Sequence, residues 1–369
     1  MSWRYDFRVV RALAVKDLRL SLIDRVLTVV GIVMPVNFLL LFMLFALSGG
    51  QAPTAVVLED KGALAEQFVG AMERAHSFII TRTDAATAEN LIQTGKIVAV
   101  VTVPSGFSAD LQAGRRVELP VQINNLQQDF TNDIRRAVPL SITSFYSEAF
   151  PDQVVIRAAE VDVQAQDTGY IPYLAVSVVV LGLMVEGLIQ AGVNAAREYE
   201  EGTITELMLS PASRWAISTG KILGALVLNA SAGIAVLVVV VLILAVTPVY
   251  PLEVIGYGLI LMVTFVAIGT LIGTLLRRRQ ATVPLSFALT LPLFFVSGPF
   301  GPANWLGSTA GTLALVSPVY YAIGIFQHAF HGYQTTQSGL ATNSAILVGF
   351  AIVALTATTL ILRRTGAAQ

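Results

Sequence analysis

The sequence predicts a polytopic α-helical membrane protein, with six transmembrane helices and an α/β extracytoplasmic domain inserted between the first and the second. Of the 369 residues, 55% are hydrophobic and 13% are charged, whereas an average soluble domain has roughly 25% charged residues. The apolar residues form long runs without charge, and Lys and Arg flank these runs. Residues 49–169 hold 24 of the 47 charged residues, which indicates a water-exposed domain.

Six charge-poor runs are long enough to cross a bilayer. They are Val26–Leu47, Ile171–Ala196, Ile222–Val246, Val254–Leu276, Ala281–Val296 and Ser344–Leu362. Lys and Arg precede the first run, separate the second from the third, and follow the fourth and the last. Because positive residues stay in the cytoplasm, six spans place all these groups and both termini inside.

A seventh apolar run, Gly311–Gln327, is interrupted by Pro318. As a span it would place Arg363 and Arg364 outside the cytoplasm, against the charge rule. It is therefore predicted to be part of a re-entrant region, residues 297–330, that precedes the last span. Together with that region, residues 170–369 form the predicted five-span transmembrane domain.

Residues 1–25 are predicted to form an amphipathic elbow helix on the cytoplasmic surface, leading into the first span at 26–48. Helical spacing puts five apolar residues on one narrow face. They are Trp3, Phe7, Val10, Ala14 and Leu18. Asp17 intrudes at the edge of that face. The alternative is an ordinary basic flank that only sets the topology.

Residues 49–169 alternate between strand and helix patterns. Four runs that end at turn residues predict strands. They are Thr54–Leu58, Phe78–Thr81, Ile97–Val103 and Val117–Ile123. Helices are predicted at Ala63–Arg74, after Asp84 as N-cap, and at 130–145, where Pro139 kinks or interrupts the helix. About 120 residues can bury a core of their own, and they contain no recognisable catalytic constellation.

Composition and motifs argue against several classes of function. The chain has no Cys and three His, so a thiol nucleophile or a Cys- or His-rich metal site is not expected. The net charge of −1 gives no support to nucleic-acid binding, which needs a basic face. Residues 47–51 spell Leu-Ser-Gly-Gly-Gln, the signature loop of ABC ATPases, but they lie at the outer end of a predicted span without any P-loop. We therefore expect no catalytic residues in this chain.

The loop at 197–220 has the chemistry of a docking element. Gly202 permits a sharp bend after the second span, and Thr203 with Glu206 fits the capping box of a short helix. Apolar residues share one face of this helix, and the acidic residues around it would be repelled by anionic lipid. The residues predicted to form the docking surface are Glu201, Gly202, Thr203, Ile204, Glu206, Leu207, Met208 and Pro211. The alternative is a helix lying flat on the inner leaflet.

This loop resembles the hallmark of type-2 ABC transporter permeases, the transmembrane subunits of type V ABC exporters. The matching residues are Arg197-Glu198, Glu201-Gly202-Thr203, Glu206-Leu207, Pro211 and Gly220-Lys221. An elbow helix, one span, a large external domain and five further spans match the long form of this family. Residues 97–107 resemble a passage of its external domain. Ser297-Gly298, Pro302 and Ser317-Pro318 resemble its re-entrant region, with Ser317 where Asn is usual.

The resemblance implies a non-catalytic permease subunit of an ATP-driven exporter in a prokaryotic plasma membrane. It implies two copies of a cytoplasmic ABC ATPase, which would hold ATP and Mg²⁺ and dock on the coupling helix in the 197–220 loop. It also implies a second permease subunit, in a homodimer or a heterodimer, and contact with membrane lipid. No cofactor is expected on this chain. The uncharged spans and the family together indicate an apolar or amphipathic substrate, such as a drug, an antibiotic or a lipid.

Polar residues inside the spans are the candidates for a translocation path. Glu186 is the one carboxylate deep in a span, and Gln190 and Asn194 follow it at helical spacing. Asn37 and Asn229 are weaker candidates of the same kind. Glu186 could instead lie in the inner third of its span and snorkel to the surface, or bond across a subunit contact.

Two other functions stay open. A proton-coupled secondary transporter could use Glu186, although such carriers have inverted repeats and several intramembrane charges. A membrane-anchored sensor or assembly factor could act through the external domain, but it would not need five further spans and a docking helix.

Overall fold

The computed structural model describes residues 3–23, 25–48, 51–125, 128–153, 168–211, 213–303 and 308–367. The chain divides into two compact units. One, here called the helical unit, contains residues 1–43 and 166–369, and the other, the α/β unit, contains residues 44–165.

The helices are numbered in chain order. They are α1 (Trp3–Ile23), α2 (Arg25–Ser48), α3 (Ala63–Arg74), α4 (Ala85–Gln93), α5 (Phe107–Gln112), α6 (Gln128–Ala149), α7 (Tyr170–Glu200), α8 (Thr203–Leu209), α9 (Arg214–Val238), α10 (Pro251–Leu276), α11 (Arg279–Val296), α12 (Ser308–Ala314), α13 (Pro318–His331) and α14 (Leu340–Ala367). A π-helical turn, Val239–Ile243, extends α9, and a 3₁₀ turn, Pro151–Gln153, follows α6.

Five helices in the described part of the chain are long and apolar enough to cross a membrane. They are Tyr170–Glu200, Thr219–Ile243, Pro251–Leu276, Arg279–Val296 and Leu340–Arg363. They support the predicted polytopic membrane protein. Helix α2 covers the predicted first span, and its described apolar stretch is Ile32–Leu44. The sixth span therefore stays a prediction.

Helix α7 forms the centre of the helical unit. Its apolar segment is buried along the whole length, because α9, α10, α11 and α13 pack around it. Glycines permit the closest approach: a Cβ atom on Gly269 or Gly273 of α10 would overlap the carbonyl oxygen of Gly187 or Gly192 in α7. Such small residues let membrane helices gain van der Waals contact between backbones.

The α/β unit is built on a four-stranded sheet with the order β2-β1-β3-β4. The strands are β1 (Ala52–Leu58), β2 (Phe78–Arg82), β3 (Ala99–Val103) and β4 (Val121–Ile123). Strand β1 pairs in parallel with β2 and β3, and β3 pairs antiparallel with β4. Helices α3 and α6 bury their apolar faces on one side of the sheet, and α4 packs on the other. Burial on both faces explains why β1 and β3 are almost continuously apolar.

Two elements of this unit differ from the sequence prediction. The fourth strand is regular only over Val121–Ile123. The Pro120 carbonyl still accepts a hydrogen bond from the Thr102 N–H at 3.0 Å, but Pro120 has no N–H to donate to the ladder. Helix α6 runs through Pro139 without the predicted interruption, since its apolar face is buried in the core on either side of that residue. The alternative, a kink at Pro139, stays a prediction. Elsewhere α3 has the predicted bounds. Asp84 is the predicted N-cap of α4, and its carboxylate accepts a hydrogen bond from the Thr87 N–H at 2.9 Å.

The predicted re-entrant region contains α12 and α13. Helix α13 is buried against α7, α10 and α14, and at about 21 Å it is shorter than a hydrocarbon core of roughly 30 Å. The Ser317 hydroxyl accepts a hydrogen bond from the Val319 N–H at 3.2 Å and another from the Ser297 hydroxyl at 2.9 Å. Serine thus caps α13 at the position where the resemblance led us to expect Asn.

Candidate functional site

The candidate docking loop leaves α7 at Gly202. This glycine has a φ of +71°, in the left-handed region, as expected for a sharp bend. The predicted capping box is wrong, because Gly202 and not Thr203 is the N-cap of α8. As the first helical residue, Thr203 cannot cap the helix, and its hydroxyl donates to the Glu198 carbonyl at 3.5 Å. Ser210 ends the helix in an extended conformation.

The predicted docking residues of α8 do not all face the same way. Ile204 is only 8% exposed and faces Tyr199, Ile217 and Thr270 within the chain. Glu201, Glu206 and Pro211 are exposed, whereas the side chains of Leu207 and Met208 lie outside the described residues. Leu209 is 82% exposed. Sequence reasoning missed it, although an apolar residue directly before the Ser-Pro stop was a visible signal.

Charged residues join the end of α7 to its neighbours. Glu198 is buried, and its carboxylate forms an ion pair with Lys221 of α9 and a second one, at 3.7 Å, with Lys16 of α1. These two pairs connect three helices through one carboxylate. The Arg197-Glu198 and Gly220-Lys221 parts of the recognised pattern, far apart in the chain, therefore meet at one contact.

Two more contacts link α7 to the connection between α10 and α11. The Glu200 carboxylate accepts hydrogen bonds from the backbone N–H of Arg279, at 2.8 Å, and from its side chain. The guanidinium of Arg277 lies 5.0 Å from the ring centroid of Tyr199, a cation–π contact. Helix α8 thus extends from the end of a helix that contacts α1, α9 and the start of α11.

Helix α1 packs closely on α9. A Cβ atom at Gly220 would lie 2.9 Å from the Val10 carbonyl oxygen, and one at Gly224 would lie 3.1 Å from that of Ala14. Val10, Leu13 and Asp17 are the buried residues of this contact, while Phe7 is exposed. Of the predicted apolar face of α1, Val10 and Ala14 therefore pack here, whereas Phe7 does not, because two glycines on α9 fix the side that approaches.

Asp17 lies in the middle of this contact rather than at its edge. Burial raises the pKa of its carboxyl from 3.8 to about 6, Lys221 lowers it and Glu198 raises it. The charged side chains that join α1, α7 and α9 therefore also shift the pKa of the Asp17 carboxyl. Sequence reasoning did not reveal this, since helical periodicity shows a charge on an apolar face but not the lysine opposite it.

The predicted path residues lie in different environments. Glu186, Gln190 and Asn229 are each at most 2% exposed inside the single chain, while Asn194 is half-buried and Asn37 is exposed. A Cβ atom at Gly187 would lie 2.8 Å from the Asn229 amide nitrogen, so Asn229 lies beside the Glu186 turn of α7. Snorkelling of Glu186 to the surface was one alternative, and its burial contradicts that alternative.

Comparison with known proteins places the chain in a family. Residues 25–360 match the family model described as "ABC-2 family transporter protein". The chain belongs to this family. The predicted type-2 ABC permease is thereby confirmed, and the chain is a multi-pass transport subunit of the ABC class.

Two relatives illustrate the match. The chain is 23% identical over 319 residues to "Inner membrane transport permease YhhJ" of Escherichia coli (strain K12), covering 82% of this chain and 84% of the relative. It is 20% identical over 307 residues to "Probable multidrug ABC transporter permease YbhR" of the same strain, covering 81% and 83% of the two chains. Both similarities extend over most of the length of each protein.

Proposed function

We propose that this chain is the permease subunit of an ATP-driven exporter of apolar or amphipathic compounds. Two copies of a separate cytoplasmic ABC ATPase, holding ATP and Mg²⁺, would dock on residues 201–211. Two permease chains would form the translocation path, as a homodimer or a heterodimer. The name of the YbhR relative, a probable multidrug permease, supports a drug-like substrate. Six spans with both termini in the cytoplasm belong to the same proposal.

The exposed side of α8 is the observation on which this proposal depends most. Ile204 anchors the helix to the bundle, while Leu209, at 82% exposure, and Glu206 lie on its exposed side. Glu201, just before the helix, is also exposed, and its carboxylate lies 3.9 Å from the Arg197 side chain. A large exposed apolar side chain near acidic groups favours a protein partner with an apolar pocket and a basic rim.

The contacts of α7 supply the route by which docking would act on the path. Movement of α8 displaces the end of α7, and Glu198 and Glu200 carry that displacement to α1, α9 and α11. ATP binding would favour one arrangement of these helices and hydrolysis the other, which is a shift between two populations. Asn37, as the exposed candidate among the five path residues, is proposed to face the second permease subunit.

A proton-coupled carrier is the second candidate function, and one observation favours it. Glu186 Oε1, Gln190 Oε1 and both polar atoms of the Asn229 amide are buried without a hydrogen-bond partner among the described residues. Buried polar groups of this kind are frequent in proton and ion pathways. A sensor or assembly factor acting through the α/β unit has no comparable support.

ATP turnover in proteoliposomes tests the proposal. The chain is purified with the ABC ATPase encoded beside its gene, and Leu209→Asp is compared with Leu252→Asp. The two leucines are 82% and 84% exposed, but Leu252 lies at the start of α10, where an acidic residue is well tolerated. Leu209→Asp should lower turnover about tenfold, the loss of a single interface anchor, and the control should not.

Two results would contradict the coupling proposal. One is the absence of a stable complex, and the other is equal turnover in the two variants, whether or not both have lost activity. A proton-coupled carrier would instead transport its substrate in response to a proton gradient, without any ATPase. Glu186→Gln would abolish that transport.

A further inference from the structure

An elongated apolar slot lies between α9 and α10. Its volume is about 220 Å³, larger than the ~150 Å³ cavity that holds a benzene molecule in other proteins. Residues 230–237 of α9 and 254–262 of α10 form its walls, and Val179 and Leu183 of α7 with Phe326 of α13 form its floor. The lining side chains are all apolar.

A glycine leaves the slot open. Apart from the helix backbone and the adjacent residues, no described atom lies within 4 Å of the place where a Cβ of Gly258 would stand, whereas a Cβ at Gly233 would meet the Leu183 side chain. The wall formed by α10 runs from Val254 to Met262, eight residue steps, which is about 12 Å along the helix axis. A volume of about 220 Å³ spread over this length makes the slot long and narrow, and it follows helices that are apolar enough to cross the membrane.

The rim of the slot faces away from the bundle. Ile234, Ile255 and Leu259 on the rim are each more than half exposed. Val254, the first lining residue of α10, lies within one turn of Pro251, where the helix begins. The slot thus occupies the half of the spans nearest the α9–α10 connection, the depth that the first half of a lipid tail would occupy.

We propose that this slot binds one acyl chain of a membrane phospholipid. The occupant must be apolar, thin and aligned with the helices, and an acyl chain has all three properties. A helix of a second copy, about 10 Å across, would rest on the rim and insert single side chains only. Since neither α8 nor the polar path residues line the slot, this site is independent of the proposed transport function.

Photolabelling with a lipid probe tests the site. The full chain is reconstituted in nanodiscs containing a phosphatidylcholine with a diazirine near the middle of one acyl chain, and the labelled peptides are identified by mass spectrometry. Gly258→Leu is compared with Gly256→Leu. Both positions have free space around a Cβ, but Gly256 does not line the slot.

The proposal requires labelling concentrated on residues 230–237 and 254–262 of the wild-type chain. Gly258→Leu should lower it about tenfold, equivalent to roughly 1.4 kcal/mol of lost binding, while Gly256→Leu should leave it unchanged. Uniform labelling of all spans, or equal labelling of both variants, would overturn the site. A further result would also overturn the site: Gly258→Leu changes coupled ATP turnover while lipid labelling persists. The slot would then serve transport.

A single cysteine tests for a second copy as the occupant. The chain has no Cys, so Leu259→Cys on the rim creates the only thiol. A monomer after mild oxidation agrees with a lipid in the slot. A disulfide-linked dimer would overturn the proposal, because a second copy would then cover the rim.

Discussion

The two ends of the helical unit are held together by different chemistry. At the end carrying residues 197–221 and 277–279, here the ionic end, carboxylates of α7 pair with Lys and Arg of neighbouring helices. At the opposite end, here the hydroxyl end, hydroxyl, amide and carbonyl groups connect the helices, together with one contact of 3.5 Å between Glu253 and His328. The Gln327 amide donates to the Tyr173 carbonyl at 2.8 Å, and the Ser297 hydroxyl donates to Ser317. Between Tyr173 and Glu200, α7 extends about 40 Å.

This difference determines how each end responds to displacement. A Coulomb attraction weakens gradually with distance, so the ion pairs of the ionic end can stretch and re-form while their helices shift. A hydrogen bond weakens steeply once its angle or length departs from the optimum. The hydroxyl end is therefore expected to act as the fixed point of the bundle, while the ionic end moves with α8.

The largest expected effect is that of Glu198→Gln at the ionic end. The variant leaves Lys221 and Lys16 without the Glu198 carboxylate, and breaking a buried pair destabilises a protein by about 3–5 kcal/mol. The lower end of this range is expected, because the side chains of Lys221 and Lys16 are 17% and 39% exposed. Thermal unfolding in detergent should show a large fall in Tm. Glu200→Gln is the control, because its pair with Arg279 is largely exposed and such pairs contribute less than about 1 kcal/mol. Equal effects of the two variants would contradict the special role of Glu198.

A smaller effect concerns the pH dependence that Asp17 gives to the ionic end. Burial raises the pKa of its carboxyl from 3.8 to about 6, so the folded chain binds this proton more tightly than the unfolded chain does. Stability should therefore fall as the pH rises from 3.8 to about 6, and it should not fall further at higher pH. The charged neighbours of Asp17 are Lys16, Lys221, Arg197 and Glu198.

Asp17→Asn should remove this pH dependence and stabilise the fold at neutral pH by about 1–3 kcal/mol. Unfolding curves measured at several pH values give the comparison. A variant that keeps the wild-type pH profile would show that Asp17 is not the group responsible.

The smallest effect is expected at the hydroxyl end, for Ser317. Ser317→Ala removes the N-cap of α13 and should cost about 1 kcal/mol, while Ser317→Asn keeps a capping oxygen and should stay within a few tenths of the wild type. Tm values at low and high salt check both points, because an uncharged cap should respond little to ionic strength. Full stability of Ser317→Ala would contradict the capping role.

The sequence revealed those features that depend on local pattern. Charge-free runs located the long apolar helices, β-branched runs located the strands, and Gly202 marked the bend before α8, because each of these is decided within a few neighbouring residues. The family could also be recognised from one loop, since its residues are nearly contiguous.

Features that depend on distant pairs were missed. Glu198 and Lys221 are 23 positions apart, and nothing in the periodicity of either helix indicates that they meet. The burial of Asp17 depends on Gly220 and Gly224, whose missing side chains make room for α1. The polar position of Glu186 was visible, but its complete burial was not, because an apolar helix looks the same whether lipid or protein surrounds it.

The full burial of α7 has a consequence for the order in which the protein assembles. During synthesis α7 precedes α9, α10 and α13, so it meets the bilayer before the helices that will enclose it. Glu186 lies near the midpoint of this 31-residue helix, and an acidic group at the centre of a lone span costs about 2–4 kcal/mol. When the later helices arrive, Glu186 moves from lipid to the neighbourhood of Asn229. The polar Glu186 of the central helix thereby favours the packing of the later helices onto α7.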